Sequence, residues 1–119
     1  MSKTILFVYG SLKRGERNHH LIRDQRFLFE VTGLPKYRLL DLGTYPGIVR
    51  DNATGLTIRG ELFEIQDCAL DELDEFEGSP EHYKREVIEI DGIEGPVESY
   101  FYQHSIPERA RSGSVWPFV

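Results

Sequence analysis

One glutamate near the middle of the chain has a position suited to proton transfer. Residues 67–78 predict a helix, because Asp67 can accept from the free N–H groups of a first turn and Gly78 can end it in the left-handed conformation. At about 100° per residue, Glu77 falls between Leu70 and Leu73, inside the apolar side of this helix. A carboxyl group on that side is desolvated, which favours its neutral form and makes it a candidate general acid or base near neutral pH. The predicted apolar side comprises Ala69, Leu70, Leu73 and Phe76.

Two structural explanations for Glu77 remain open at this stage. The last helical turn can fray and release the side chain to solvent, or a buried carboxylate can be tied to an arginine. Of the other acids of the helix, Asp71, Glu72 and Glu75 fall on the opposite, polar side, and Asp67 and Asp74 fall on the border. Glu77 is therefore an exception to the pattern of its own helix.

A glycine-containing turn is the second place with chemical potential. Residues 4–9 form a continuous apolar run, which predicts a strand buried on both faces. Residues 10–15 contain Gly10 and Gly15, which let the backbone bend sharply after this strand. Outward N–H groups in such a turn can form a small anion-binding concavity. The turn has neither the spacing of a P-loop nor that of a dinucleotide fingerprint, so we do not expect it to bind nucleotide phosphates. Taken alone, the turn is more typical of an ordinary connection between elements.

Nothing in the sequence predicts a metal site. His19 and His20 are adjacent, so on a helix their side chains diverge by about 100° and do not meet at one ion. We expect Asn18 to cap a brief helix at residues 19–23. A nucleophilic Ser11 is disfavoured, because neither histidine has an evident acid to orient it.

Composition limits the class of protein. The chain has 119 residues, which indicates one domain over residues 1–119. A formal net charge of −6 and a pI of about 5.2 argue against a nucleic-acid or membrane partner, which would require a basic face. The single cysteine, Cys68, rules out an internal disulfide and gives no indication of secretion. We therefore expect a cytoplasmic protein with no membrane segment.

The pattern of elements predicts an α+β fold, a small mixed β-barrel of about six strands with two short flanking helices. A barrel would solve the problem of exposed sheet edges in so short a chain. The tail, residues 105–119, is predicted to be irregular, and its apolar end should pack on the body or on another copy, which makes a homodimer through the tail an expectation. The strand-like segments are residues 4–9, 26–40 with a break at Gly33, 48–49, 57–65, 83–90 and 97–103.

Three segments in the same order resemble the γ-glutamylcyclotransferase-like superfamily. They are closest to its branch containing γ-glutamylamine cyclotransferase and the AIG2-like proteins. The resemblance extends from the first strand to residue 103, over most of the chain. The segments are FVYGSLKRG at residues 7–15, followed by Asn18, His19 and His20; GELFEI at 60–65; and LDEFEG at 73–78, followed by Tyr83 and Arg85.

The resemblance implies a compact mixed barrel with flanking helices and an intramolecular reaction. In that reaction the α-amine of a γ-glutamyl group attacks its own γ-carbonyl, which expels an amine and gives 5-oxoproline. The resemblance makes Glu77 the catalytic residue and implies neither cofactor nor metal. The residues implied to hold the γ-glutamyl group are Tyr9, Gly10, Ser11 and Leu12.

The unaided chemistry agrees with this implication. One carboxyl group poised near neutral pH can take a proton from the attacking amine and return it to the leaving amine. The N–H groups of residues 10–12 can stabilise the developing oxyanion. Tyr83, with Tyr100 or Tyr102, is expected to line the pocket, and a packing role for these tyrosines explains them equally well. Arg85 is expected to pair with Glu61 or Glu64 if it does not touch substrate.

Three other functions remain open from the sequence. The barrel can be a non-catalytic module that binds a small ligand, or an enzyme that removes a γ-glutamyl group within a biosynthetic pathway. It can also be an interaction protein that uses the apolar tail. The resemblance does not fix the leaving amine, whose contacts would come from variable loops.

Overall fold

The computed structural model describes residues 3–93 and 95–118. It contains eight strands in one sheet and a single helix of several turns, α1 (Asp67–Glu77). A short 3₁₀ helix, His19–Leu21, lies in the long connection after the first strand. The strands are β1 (Lys3–Val8), β2 (Arg26–Thr32), β3 (Tyr37–Asp41), β4 (Pro46–Arg50), β5 (Arg59–Gln66), β6 (Tyr83–Ile88), β7 (Val97–Tyr102) and β8 (Ser112–Gly113).

The sheet is mixed and curled. Its hydrogen-bonded order is β2-β5-β1-β7-β4-β3-β8, and β6 pairs with β7 outside this path. β7 runs parallel to β1 and β4 and antiparallel to β6, so it contacts three strands along its length. The Arg59 N–H donates to the Ser114 carbonyl at 2.7 Å, which links β5 to the segment after β8. The predicted α+β class and small mixed barrel are thus confirmed, with more strands and a shorter first helix than predicted.

Strand β1 separates two groups of buried side chains. Phe7 and Tyr9 pack in one group, and Leu6 and Val8 pack in the other. This alternation confirms that the second half of the strand is buried on both faces. The first half differs, because Lys3 is exposed and the next two residues are only partly buried.

Helix α1 follows β5 without a loop. Gly78 ends it in the left-handed conformation, with φ of 67°, as predicted. The predicted cap at Asp67 is wrong: Asp67 is the first helical residue, and the extended residue before it is Gln66, the last residue of β5. Phe76 was also placed wrongly, since 49% of it is exposed. The last turn of α1 borders a cavity there, whereas the earlier Leu70 and Leu73 are buried.

The first long connection differs from the prediction. The helix expected at residues 19–23 is reduced to His19–Leu21, and Asn18 makes no capping hydrogen bond. Its Nδ2 instead donates to the Ser11 hydroxyl at 2.9 Å. The break predicted at Gly33 within residues 26–40 is confirmed, because β2 ends at Thr32, β3 begins at Tyr37, and Gly33 lies in an isolated bridge to Ile90.

The C-terminal tail packs on its own chain. Ser112 and Gly113 pair with β3, so the tail is not wholly irregular as predicted. Trp116 and Phe118 pack against the buried core, and Lys13 Nζ donates to the Trp116 carbonyl at 2.5 Å. A homodimer through this tail stays a prediction. In the described part of the chain, no helix has the length and apolar character to cross a bilayer.

Candidate active site

A cavity of about 500 Å³ lies among the turn after β1, the end of α1 and strands β6 and β7. It brings together residues from widely separated parts of the sequence. Tyr100 and Tyr102 of β7 both line it, as does Phe76 of α1. All the predicted site residues border this one cavity: Tyr9, Gly10, Ser11, Leu12, Glu77 and Tyr83.

Glu77 turns toward this cavity from the last turn of α1. Its side chain is partly buried, and burial raises the pKa of its carboxyl group to about 7. Within residues 3–93 and 95–118 its carboxyl group forms no hydrogen bond or ion pair with a side chain. Both structural explanations left open by the sequence, release to solvent and pairing with an arginine, therefore disagree with its position on the cavity wall. The predicted desolvation holds, but its surroundings include the sheet tyrosines Tyr9, Tyr83 and Tyr100 as well as Phe76.

Two of these tyrosines are fixed by buried hydrogen bonds. The Tyr9 hydroxyl donates to the Tyr100 carbonyl at 2.7 Å, and the Tyr83 hydroxyl donates to the Pro46 carbonyl at 2.6 Å. Burial, with a smaller contribution from nearby Glu77, raises the pKa of both phenols. Both hydroxyls therefore stay neutral, and their hydrogens are already used to hold strands together.

The turn after β1 lies against β4. A Cβ on Gly10 would stand 2.4 Å from Pro46 Cγ, so this approach requires glycine. The backbone N–H groups of Ser11 and Leu12 donate to no acceptor in the described residues, although both residues line the cavity. The Ser11 hydroxyl accepts from Asn18, and His19 Nδ1 contacts the Leu12 carbonyl at 2.9 Å. Neither histidine is thus bonded to the serine.

Comparisons with known proteins agree with this arrangement. Residues 6–117 match the family described as γ-glutamyl cyclotransferase, AIG2-like. The chain belongs to this family. One relative is a Vibrio cholerae protein provisionally named a γ-glutamylcyclotransferase. It is 35% identical over 101 residues, which cover 85% of this chain and 84% of that protein. The γ-glutamylaminecyclotransferase of Rattus norvegicus is 34% identical over 106 residues, covering 79% and 71% respectively.

A solved structure supports the fold independently. The crystal structure of an AIG2-like protein from Mus musculus superposes with a TM-score of 0.87 at 24% identity. The match covers 98% of this chain and 89% of the mouse chain. The family match and the sequence similarity to these relatives make the protein a γ-glutamylcyclotransferase-like enzyme.

In this γ-glutamylcyclotransferase-like enzyme, an ionic network supports α1 behind the cavity. Arg85 of β6 binds Asp74 of α1 through two contacts, at 2.9 and 3.0 Å, and also pairs with Glu98 of β7. Desolvation works to raise the pKa of Asp74, but donation from Arg85 and Tyr100 outweighs it and lowers that pKa.

The predicted partners of Arg85 are therefore wrong. Glu61 pairs with Arg14 and Glu64 pairs with Lys3, both far along the chain from Arg85. Pairing between β6 and β7 brings Arg85 opposite Tyr100 instead, on the side that meets α1. The sequence does contain a signal for the pairing of Arg85 with Asp74, because Asp74 lies on the border of the predicted apolar side of its helix.

The mouth of the cavity consists of exposed residues that the sequence analysis did not single out. Arg17 and Tyr45 come from loops, and His82 precedes β6. His82 Nδ1 and His104 Nε2 lie 2.7 Å apart, so one ring donates to the other. Loop residues carry no periodic pattern, so only their positions in the fold assign them to the site.

No metal centre is evident in the described ranges, which contain no group of three or more His, Cys, Asp or Glu side chains placed to hold an ion.

Proposed function

We propose that this enzyme cleaves a γ-glutamyl amine or γ-glutamyl amino acid by cyclisation, giving 5-oxoproline and the free amine. Glu77 serves as the general acid and base. The observation that carries the proposal is a carboxyl group with a pKa of about 7 on the wall of the cavity that the 9–12 turn also lines. The proposed partner is a small molecule, with no nucleic acid or membrane involved.

The reaction moves two protons from the α-nitrogen to the leaving nitrogen, and one carboxyl group can carry each of them in turn. Glu77 removes a proton from the substrate α-ammonium, and the freed amine attacks the γ-carbonyl carbon. The new C–N bond forms while the carbonyl oxygen gains negative charge. Protonated Glu77 then donates to the leaving nitrogen, and the old C–N bond breaks as the carbonyl re-forms. The restored carboxylate takes the second proton from the positively charged ring nitrogen and passes it to the departing amine, which leaves as an ammonium ion beside the neutral lactam. A group with a pKa near the working pH can perform both transfers efficiently.

The turn after β1 supplies the electrostatic part of the mechanism. The Ser11 and Leu12 N–H groups have no acceptor in the described residues, which leaves them available to the developing oxyanion. Removing one such donor typically lowers the rate by about 10²–10³-fold. The ring closure is unimolecular, so rigid walls such as Tyr9 and Tyr83 can contribute by holding the reacting atoms close together.

Substitution Glu77→Gln tests the proposal, because it preserves shape and removes proton transfer. We expect 5-oxoproline production to fall by about 10²–10⁴-fold. Glu72→Gln is the matched control, since Glu72 is exposed on the same helix and does not line the cavity. Unchanged production by the Glu77 variant would overturn the assignment. If the wild-type protein binds γ-glutamyl compounds without releasing 5-oxoproline, the proposal fails in favour of a binding module.

A further inference from the structure

The cavity has a buried floor and an exposed mouth. Tyr9, Leu12 and Tyr83 are buried on the floor, whereas Tyr45 is 41% exposed and Phe76 is 49% exposed at the mouth. If the proposed function holds, the reacting amide lies beside Glu77. The compact glutamyl part, which folds into a five-membered ring, then occupies the floor. The leaving amine extends to the mouth, because it must be free to depart.

Arg17 is a positioned cation at this mouth. Its Nη2 donates to the Thr44 carbonyl at 2.5 Å, which connects the loop after β1 to the loop before β4. The next residue, Tyr45, packs its ring edge-on against Tyr83, with ring centroids 6.5 Å apart. The guanidinium is therefore held at the rim by a loop that is itself attached to the floor.

The donor capacity of Arg17 is largely unused. One of its five N–H groups is bonded to Thr44, and it forms no ion pair with any residue in the described ranges. Among the described residues that line the cavity, Arg17 is the only arginine or lysine. A planar guanidinium with free donors matches the geometry of a carboxylate.

The charges on the other cavity walls also favour placing a substrate carboxylate beside Arg17. Glu75 and Glu77 both line it on the side of α1, so a substrate carboxylate is repelled from that wall. The loop wall that carries Arg17 attracts it. We propose that Arg17 binds the carboxylate of the departing amino acid. The preferred substrates are then γ-glutamyl amino acids with a free carboxylate on the leaving part.

Two substrates that differ in one group test this inference. γ-Glutamylalanine and γ-glutamylethylamine share the glutamyl part and the scissile amide, but only the first has a carboxylate on the leaving amine. For Arg17→Gln we expect kcat/KM for γ-glutamylalanine to fall by about 10- to 100-fold, mainly through KM. The value for γ-glutamylethylamine should change by less than about twofold. Arg17→Lys should recover part of the loss, since it keeps the charge without the fork.

Arg23→Gln is the matched control, because Arg23 is exposed in the same connection and does not line the cavity. It should leave both substrates unaffected. Equal losses for both substrates in Arg17→Gln would overturn the inference, because they would assign Arg17 to the glutamyl carboxylate that both share. No loss for either would also overturn it.

A binding experiment separates this inference from the proposed function on which it rests. Calorimetry on Glu77→Gln, alone and combined with Arg17→Gln, measures affinity for both compounds without turnover. An Arg17-dependent preference for γ-glutamylalanine supports the inference even if the wild-type protein releases no 5-oxoproline. If the wild type releases 5-oxoproline but the two variants bind γ-glutamylalanine with equal affinity, the proposed function is retained and the role of Arg17 is overturned.

Discussion

The Tyr100 hydroxyl donates to Asp74 Oδ1 at 2.6 Å, and Asp74 lies three residues before Glu77 on α1. Arg85 binds the same carboxylate from β6. One aspartate therefore joins the helix to two adjacent strands. Because residues three apart lie on neighbouring sides of a helix, this contact also sets the direction in which Glu77 points.

Loss of the Asp74 carboxylate should destabilise the fold. Asp74→Asn leaves Arg85 with Glu98 alone, and we expect the free energy of unfolding at pH 7 to fall by about 1–3 kcal/mol. The folded-state pKa of Asp74 is lowered, so its stabilisation is present above the unfolded value of 3.8 and is lost as pH falls through the lower folded pKa. In urea unfolding, the difference in unfolding free energy between wild type and Asp74→Asn should thus be smaller at pH 3 than at pH 7. Asp71→Asn, on an exposed residue, is the control.

The pH dependence of catalysis should report Glu77. As a base it acts in its ionised form, so kcat/KM should rise with pH, with a midpoint near 7. The substrate amine titrates in the same way with wild type and with Glu77→Gln. Any pH dependence of kcat/KM that is lost in Glu77→Gln therefore reports the ionisation of Glu77. Initial rates between pH 5 and 9 for both proteins provide the measurement. A wild-type midpoint near 4.5, the ordinary value for glutamate, would contradict the raised pKa.

The same carboxyl group should lower stability at high pH. Its folded pKa, about 7, exceeds the ordinary value of 4.5, so the folded state binds the proton more tightly. Stability from this group is full below pH 4.5 and declines as pH rises to 7. Relative to wild type, Glu77→Gln should gain about 1–3 kcal/mol in unfolding free energy between pH 4 and pH 8. A difference independent of pH in urea unfolding would refute this expectation; Glu72→Gln should show none.

A methyl group on Gly10 should damage the site without removing any chemical group. The added Cβ would lie 2.4 Å from Pro46 Cγ, and Pro46 also accepts the hydrogen bond from Tyr83. We expect Gly10→Ala to cost about 1–3 kcal/mol in stability and about 10- to 100-fold in kcat/KM. Gly33→Ala is the matched control, since its nearest neighbours would be 3.7 Å away, at ordinary contact distance. Comparable losses in both variants would show that the Pro46 contact is not the cause.

Local patterns were sufficient to predict the inward acid. The helical repeat identified Glu77, and Gly78 ends the helix as expected because only a local backbone conformation was at stake. The continuous apolar run at residues 4–9 likewise predicted a strand buried on both faces, and the second half of β1 is so buried. These features depend on neighbours within a few residues, which the sequence displays directly.

Long-range partners were beyond the same reasoning. Arg85 was assigned to Glu61 or Glu64 because it can reach any carboxylate of suitable charge, and only the pairing of β6 with β7 selects Asp74 and Glu98. Asn18 illustrates the same limit. Asparagine commonly caps the N-terminus of a helix, but here the Asn18 side chain hydrogen-bonds to the Ser11 hydroxyl instead. The mouth residues lie on loops, where sequence offers no period to follow.

The direct junction of β5 with α1 has an evolutionary consequence. No loop separates Gln66 from Asp67, so the proposed proton-transfer group is carried on a continuous piece of secondary structure whose length cannot drift without disrupting the sheet. Arg17 and Tyr45 sit on connections that tolerate insertion and exchange. Remodelling of these two loops can therefore alter the proposed leaving-group site, while the proposed proton-transfer residue keeps its place in the fold.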